Sequence, residues 1–89
     1  MKQHTPSESH VEFPVDCCFK VIGNNEKGIH GRIVEALISV DVNQPVTPGR
    51  TSAGGTYITH NIELRILNLE EMQRIDAALR AVKGVKFVL

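Results

Sequence analysis

The sequence contains no tryptophan, one tyrosine and three phenylalanines, so its hydrophobic core has to be built mainly from isoleucine, valine and leucine. Its 89 residues carry ten basic and ten acidic side chains, which leaves a formal net charge of zero. Proteins that bind nucleic acid normally have a basic excess, because phosphate neutralisation supplies most of the non-specific affinity. No apolar run approaches the roughly 20 residues of a membrane-spanning helix. These absences predict a protein that binds neither nucleic acid nor membrane.

Only two cysteines are present, and they are adjacent at Cys17 and Cys18. Successive side chains of a strand point to opposite faces, so this pair cannot readily form a disulfide or jointly chelate a metal. The histidines show no spacing typical of a metal site. We therefore expect two reduced thiols, one inward and one outward, with no metal and no cofactor. The polar N-terminus lacks the apolar segment of a secretory signal, which predicts a cytoplasmic protein.

Residues 1–12 are polar and lack periodicity, so we expect a disordered N-terminal tail ahead of a single domain over residues 13–89. Within that domain, a period of two marks strands, and apolar spacings of three and four mark helices. The predicted order is βαββαβ, with strands near 16–22, 45–51, 56–67 and 85–89, a first helix over 26–40 and a second helix that follows Asn68.

Two helices can cover one face of a four-stranded antiparallel sheet, which predicts an α+β, two-layer ferredoxin-like sandwich with strand order 4-1-3-2. The second strand contains Pro45 and Pro48 and is therefore expected at an edge, because proline cannot donate to the ladder. The third strand alternates between a buried face and a solvated face. His60 falls on the buried side, where we expect a hydrogen-bonded histidine at the rim of the core.

Turn and capping residues predict where the elements begin and end. Gly23 is expected to end the first strand, and Asn24 or Asn25 to cap the first helix, because an asparagine oxygen can accept from first-turn N–H groups. Asn68 is expected to cap the second helix in the same way. Gly84 suits the C-terminus of that helix, where a left-handed residue is common.

Four short segments carry a resemblance to a known family: Phe13-Pro14, the run Phe19–Gly23, a serine and glycine ahead of Tyr57–Thr59, and the run Val85–Leu89. In their order and spacing the chain resembles the YbeD-like family of small bacterial proteins of unknown function. The resemblance implies an ACT-like ferredoxin fold and no established activity. The first strand, turn and helix are also similar to amino-acid-binding ACT domains, with Lys27-Gly28-Ile29 where those domains have Pro-Gly and an aliphatic residue. That similarity implies a regulatory module with a small ligand at a helix N-terminus, near a subunit interface.

The start of the first helix is the first candidate site. Glycine at a helix position costs about 1 kcal/mol relative to alanine, so two glycines in one opening turn call for a reason. Close backbone packing would explain them, and so would access for a ligand. Backbone N–H groups and the positive helix end favour a carboxylate or phosphate. The candidate site for a small anionic metabolite comprises Asn24, Asn25, Lys27, Gly28 and Gly31, and the alternative is a plain capped helix start.

The outward face of the sheet is the second candidate site. Its expected apolar centre includes Val88, and its expected charged rim includes Lys86. We predict a homodimer or another protein partner docked on this face or along the edge of the second strand. The candidate interface residues are Cys18, Lys20, Ile22, Tyr57, Glu63 and Arg65.

Catalysis is the remaining alternative. Acylphosphatases share the βαββαβ order and use an arginine near the helix start and an asparagine on the third strand. In this sequence, Arg32 and Asn61 are the candidates for those two roles. However, the turn after the first strand lacks the Val-Gln-Gly-Val run of that family. We therefore predict that the protein is no enzyme but a non-catalytic ACT-like regulatory or binding module, which acts through a protein partner or a small metabolite. A small hydrolase of acylphosphatase type is the alternative.

Overall fold

The computed structural model describes residues 12–89, so the predicted N-terminal tail lies almost wholly outside the described residues. The elements follow the predicted order βαββαβ. None of the helices within 12–89 is long and apolar enough to cross a membrane. The strands are β1 (Val15–Asn24), β2 (Thr47–Thr51), β3 (Tyr57–Ile66) and β4 (Val85–Val88), and the helices are α1 (Ile29–Ser39) and α2 (Leu69–Arg80).

The strands form one antiparallel sheet in the order β2-β3-β1-β4, which confirms the predicted topology read from the other edge. Its centre is the β1–β3 pair, whose register runs from Val15 opposite Ile66 to Asn24 opposite Tyr57. As predicted, β2 lies at an edge. Its ladder with β3 becomes irregular between Pro48 and Thr51, next to the residue that has no N–H to donate.

Side chains from both helices and from the inner face of the sheet form one buried cluster, which gives the two-layer ferredoxin-like sandwich. The cluster consists mainly of isoleucine, leucine and valine, as the scarcity of aromatic residues requires. Each such side chain contributes about 1.5–3 kcal/mol when it is fully buried. The most deeply buried apolar members are Val21, Ile33, Leu37, Ile62, Ile66, Ile75 and Leu79.

The boundary between β1 and α1 differs from the prediction. β1 continues through Gly23 to Asn24, because the Asn24 N–H donates a 2.8 Å hydrogen bond to the turn before β4. α1 begins later than expected, at Ile29, and its N-cap is Gly28 with φ +90°. The expected cap by Asn24 or Asn25 was therefore wrong. A left-handed backbone at the cap position explains why glycine stands there.

The two ends of α2 were predicted with different success. Asn68 is the N-cap, and its Oδ1 accepts a 2.8 Å hydrogen bond from the Glu71 N–H, which confirms the prediction. The C-terminus was placed too late, because α2 ends at Arg80 with Ala81 as the C-cap. Gly84 lies in the turn that follows, where it has φ +96°.

Val88 in β4 was assigned to the wrong face of the sheet. Val88 was expected on the outward face but is buried, with 5% of its surface exposed, whereas Phe87 is 60% exposed. The register explains the difference, because Val88 pairs with buried Val21 and Phe87 pairs with Ile22. Directly paired residues of neighbouring strands share a face of the sheet. Val88 therefore leaves the candidate interface. Alternation does not assign Lys86 to a face, because the register with β1 shifts beside it and Val85 pairs with Gly23.

Candidate functional site

The face of the sheet that points away from both helices is covered by none of the elements described within residues 12–89. We call it the open sheet face, and it consists of the outward side chains of β1, β3 and β4. Alternation along the β1–β3 register brings all the predicted interface residues to this face. Most of these side chains are exposed, and Ile22 is half-buried. The residues brought together are Cys18, Lys20, Ile22, Tyr57, Glu63 and Arg65.

An apolar patch lies on the β4 side of the open sheet face and comprises Ile22, Phe87 and Leu89. Phe87 is 60% exposed and Leu89 is 69% exposed. Ile22 is the cross-strand partner of Phe87, and Leu89 exchanges backbone hydrogen bonds of 3.0 and 2.8 Å with Lys20. The sequence prediction missed Phe87 and Leu89 as interface residues. The alternation of β4 indicated that they share a face, but not which face.

The rest of the open sheet face is polar. Lys20 Nζ donates to Asn61 Oδ1 at 3.2 Å, and the Arg65 guanidinium pairs with the Asp16 carboxylate at 3.1 Å. Lys20 and Arg65 balance the carboxylates of Asp16 and Glu63, so the charged side chains of β1 and β3 on this face sum to zero. A shallow groove of about 630 Å³ lies across this half, lined by Cys18, Lys20, Asn61 and Glu63 and bordered by Gln44, Pro45 and Thr47.

The adjacent cysteines point to different sides of β1, as predicted. Cys17 is half-buried against the core, whereas Cys18 is exposed on the open sheet face. Both are free thiols. Because their side chains diverge, they do not form a common site with each other.

The residues of the predicted anion site lie together at the junction of β1 and α1. Asn25 is held by two hydrogen bonds, from its backbone N–H to the Thr56 carbonyl at 2.8 Å and from its side-chain amide to the Gly55 carbonyl at 3.0 Å. That amide is therefore already engaged. Lys27 is exposed, and so is Gly31, where an added Cβ would meet no atom within 4 Å. Close packing thus does not explain Gly31, and the anion site stays a prediction.

A charged contact connects the start of α1 to the turn before β4. The Arg32 guanidinium forms an ion pair with the Glu26 carboxylate, and its Nε donates to the Lys83 carbonyl at 3.1 Å. Gly84 allows this approach, because a Cβ there would lie 2.9 Å from the Glu26 carboxylate. The Glu26 carboxylate therefore lies beside the start of α1, and donors of Arg32 are already engaged by Glu26 and Lys83.

His60 is more deeply buried than the sequence suggested. The residue is 2% exposed, and its Nδ1 has no hydrogen-bond partner among the described residues, so the expected hydrogen bond is not made by this ring nitrogen. The ring of His30 on α1 lies 5.3 Å away, centroid to centroid. Burial lowers the pKa of His60 below its ordinary value, and the nearby His30 lowers that pKa further. The imidazole of His60 is therefore held in its neutral form more strongly than a free histidine.

The arrangement needed for acylphosphatase chemistry is not assembled. Arg32 lies on α1, on the helical side of the sheet, where it binds Glu26 and Lys83. Asn61 points to the open sheet face and binds Lys20. The sheet therefore separates the two side chains that would have to meet at one substrate. Within residues 12–89, no group of three or more histidine, cysteine, aspartate or glutamate side chains could hold a metal ion.

Comparison with known sequences agrees with the family resemblance. The family model for a protein of unknown function, DUF493, matches residues 8–89. The chain belongs to this family. A UPF0250 protein from Shewanella frigidimarina is 29% identical over 86 residues, which cover 97% of this chain and 98% of that protein. The predicted kinship with the YbeD-like family of uncharacterised bacterial proteins is thereby confirmed.

Solved structures share the fold of this DUF493 protein. The solution structure of protein HP0495 from H. pylori has a TM-score of 0.75 and 19% identity, and the match covers 99% of this chain and 98% of that one. The ACT domain from the GTP pyrophosphokinase of Chlorobium tepidum has a TM-score of 0.59 and 20% identity, with 83% and 94% coverage. At such identities the likeness shows the fold alone, and it confirms the expected ACT-like ferredoxin architecture.

Proposed function

We propose that this DUF493 protein is a non-catalytic binding module that docks a protein partner on the open sheet face. The observation that carries the proposal is the apolar patch, in which Phe87 and Leu89 are 60% and 69% exposed beside Ile22. Burial of a phenylalanine side chain contributes about 1.5–3 kcal/mol, so exposure of this patch forgoes stabilisation that a partner can supply. Exposed apolar patches rimmed by polar residues are typical of protein–protein interaction sites.

The surroundings of the patch also support a protein partner. An interface usually has an apolar centre and a polar, solvated rim. Lys20 and Asn61 provide such a rim beside the patch, and the Asp16–Arg65 pair lies further along the same strands. The ACT-like fold supports a binding role as well, because resemblance to ACT domains implies a regulatory module. Catalysis has no comparable support, since Arg32 and Asn61 lie on opposite sides of the sheet.

The test compares two variants with matched exposure. Phe87→Asp places a charge in the apolar patch, and Ile38→Asp places the same charge on α1, where Ile38 is 59% exposed on the helical layer. Tagged full-length chains are used to capture partners from a lysate of the bacterium that encodes the protein. We expect the wild-type and Ile38→Asp chains to retain a common partner that Phe87→Asp loses. Retention of the same partners by a folded Phe87→Asp chain would refute docking on this face.

A small anionic metabolite at the start of α1 is the second candidate. The observation that favours it is Gly31, whose place in an exposed first turn is not explained by packing, since an added Cβ would meet nothing within 4 Å. Titration of labelled protein with amino acids and inorganic phosphate should then shift amide resonances only in the segment 24–32. Gly31→Ala should weaken the shifts without unfolding the chain. Shifts spread over the open sheet face instead would contradict this location.

A further inference from the structure

Both edges of the sheet are obstructed against the addition of another strand. At the β2 edge, Pro48 has no N–H, and the ladder is irregular beside it. At the β4 edge, Lys20 and Leu89 exchange hydrogen bonds, so the neighbouring Val88 carbonyl points away from β1. That carbonyl is already occupied, because Arg80 Nη2 donates to it at 3.1 Å. A blocked edge is a common protection against edge-to-edge pairing, and it leaves the open sheet face as the route of contact.

Arg80 is itself held in place at the β4 edge. Its Nε donates to Asp76 Oδ2 at 2.8 Å, one turn earlier on α2. The ion pair orients the guanidinium so that a second nitrogen reaches the Val88 carbonyl. Arg80 thus contacts Asp76 and the Val88 carbonyl at the same time. An approaching strand would have to displace Arg80 before it could pair with β4 at Val88.

The charges of the open sheet face indicate what kind of partner fits. Asp16 and Glu63 supply two carboxylates, and Lys20 and Arg65 supply two cations, so β1 and β3 present no excess of either sign. Nucleic acid, an anionic membrane or a strongly charged protein gains no steering from such a surface. In a second copy of the same face, the charges of β1 and β3 likewise balance, so these two strands contribute no net repulsion. In an isologous contact the apolar patch of one copy lies on the apolar patch of the other.

We propose that the partner on the open sheet face is a second copy of this chain, in a face-to-face dimer centred on Phe87. The inference rests on the proposed function and names its partner. A domain within a chain of 89 residues buries only a modest core, so a further buried surface adds stabilisation where little is available. Phe87 and Leu89 are the large exposed side chains that this contact would cover.

Sedimentation velocity from micromolar to millimolar concentration tests the inference on the full chain. We expect the wild type and Ile38→Asp to double in mass as concentration rises, and Phe87→Asp to stay monomeric. A wild type that is monomeric throughout would overturn the inference, as would a Phe87→Asp chain that dimerises like the wild type. If the wild type is monomeric but Phe87→Asp still loses a captured protein, only the inference fails. If Phe87→Asp changes neither dimerisation nor the capture of a protein partner, the proposed function fails too.

A second measurement needs no variant and so does not depend on the folding of Phe87→Asp. In a mixture of isotope-labelled and unlabelled wild-type chains, filtered NOE spectra report only contacts between copies. The face-to-face dimer predicts intermolecular contacts between the Phe87 ring and the methyl groups of Ile22 or Leu89. Dimeric protein that shows intermolecular contacts elsewhere, and none at these residues, would overturn the inference.

Discussion

The two glycines at the start of α1 should respond to alanine in opposite directions. Gly28 has φ +90°, and a Cβ there would lie 3.2 Å from Arg32 Nη1. A side chain in the left-handed region costs about 1–2 kcal/mol, so Gly28→Ala should lower the free energy of unfolding by about that amount. Gly31 is helical and exposed, and its added Cβ would meet nothing within 4 Å. Gly31→Ala should raise the free energy of unfolding by about 0.5–1 kcal/mol.

Urea unfolding followed by circular dichroism measures both variants against the wild type. Both variants replace glycine with alanine at the start of α1. The expected difference of about 1.5–3 kcal/mol between their free energies of unfolding therefore reflects the local backbone conformation at each position. In thermal unfolding, 1 kcal/mol corresponds to a shift of about 4–8 °C for a domain of this size. A destabilised Gly31→Ala, or a Gly28→Ala chain as stable as the wild type, would refute the reasoning.

Three further perturbations test other parts of the molecule. Because burial and His30 lower the pKa of His60, its contribution to stability should be complete above about pH 6.5 and should decline as the pH falls below that value. Urea unfolding across this range should show the decline in the wild type and a smaller decline in His60→Leu, and equal profiles would contradict it. Asn68→Ala removes the 2.8 Å N-cap bond of α2 and should cost about 1 kcal/mol, whereas Asn68→Asp should retain most of the stability. Ile33→Ala should cost about 2–5 kcal/mol in the core, against less than about 0.5 kcal/mol for exposed Ile38→Ala, and similar losses would show that the core is misassigned.

The order of elements and the inner face of the sheet could be predicted from the chain because both depend on local periodicity. In β3, alternation separates buried Ile62 and Leu64 from exposed Glu63 and Arg65, and the structure reproduces that division. Pro48 could be placed at an edge from covalent chemistry alone, since it lacks an N–H. These features need no knowledge of which strands meet, so sequence reasoning reaches them.

The candidate interface was predictable only in part. The outward residues of β1 and β3 were found because each strand has a clearly polar face. β4 has apolar side chains on both faces, so alternation alone could not decide between Val88 and Phe87. The register with β1 decides it, by pairing Val88 with buried Val21. For this reason, the apolar patch that carries the proposed function could not be predicted from the sequence.

The chain by itself thus determined the ferredoxin-like topology, the inner and outer faces of β1 and β3, and the cap of α2 by Asn68. Only the tertiary structure decided the start of α1, where a left-handed Gly28 replaces the expected asparagine cap, and the orientation of β4. It also decided that Arg80 blocks the outer carbonyl of β4. Each of these depends on contacts between segments distant in sequence, and local propensity carries no information about such contacts.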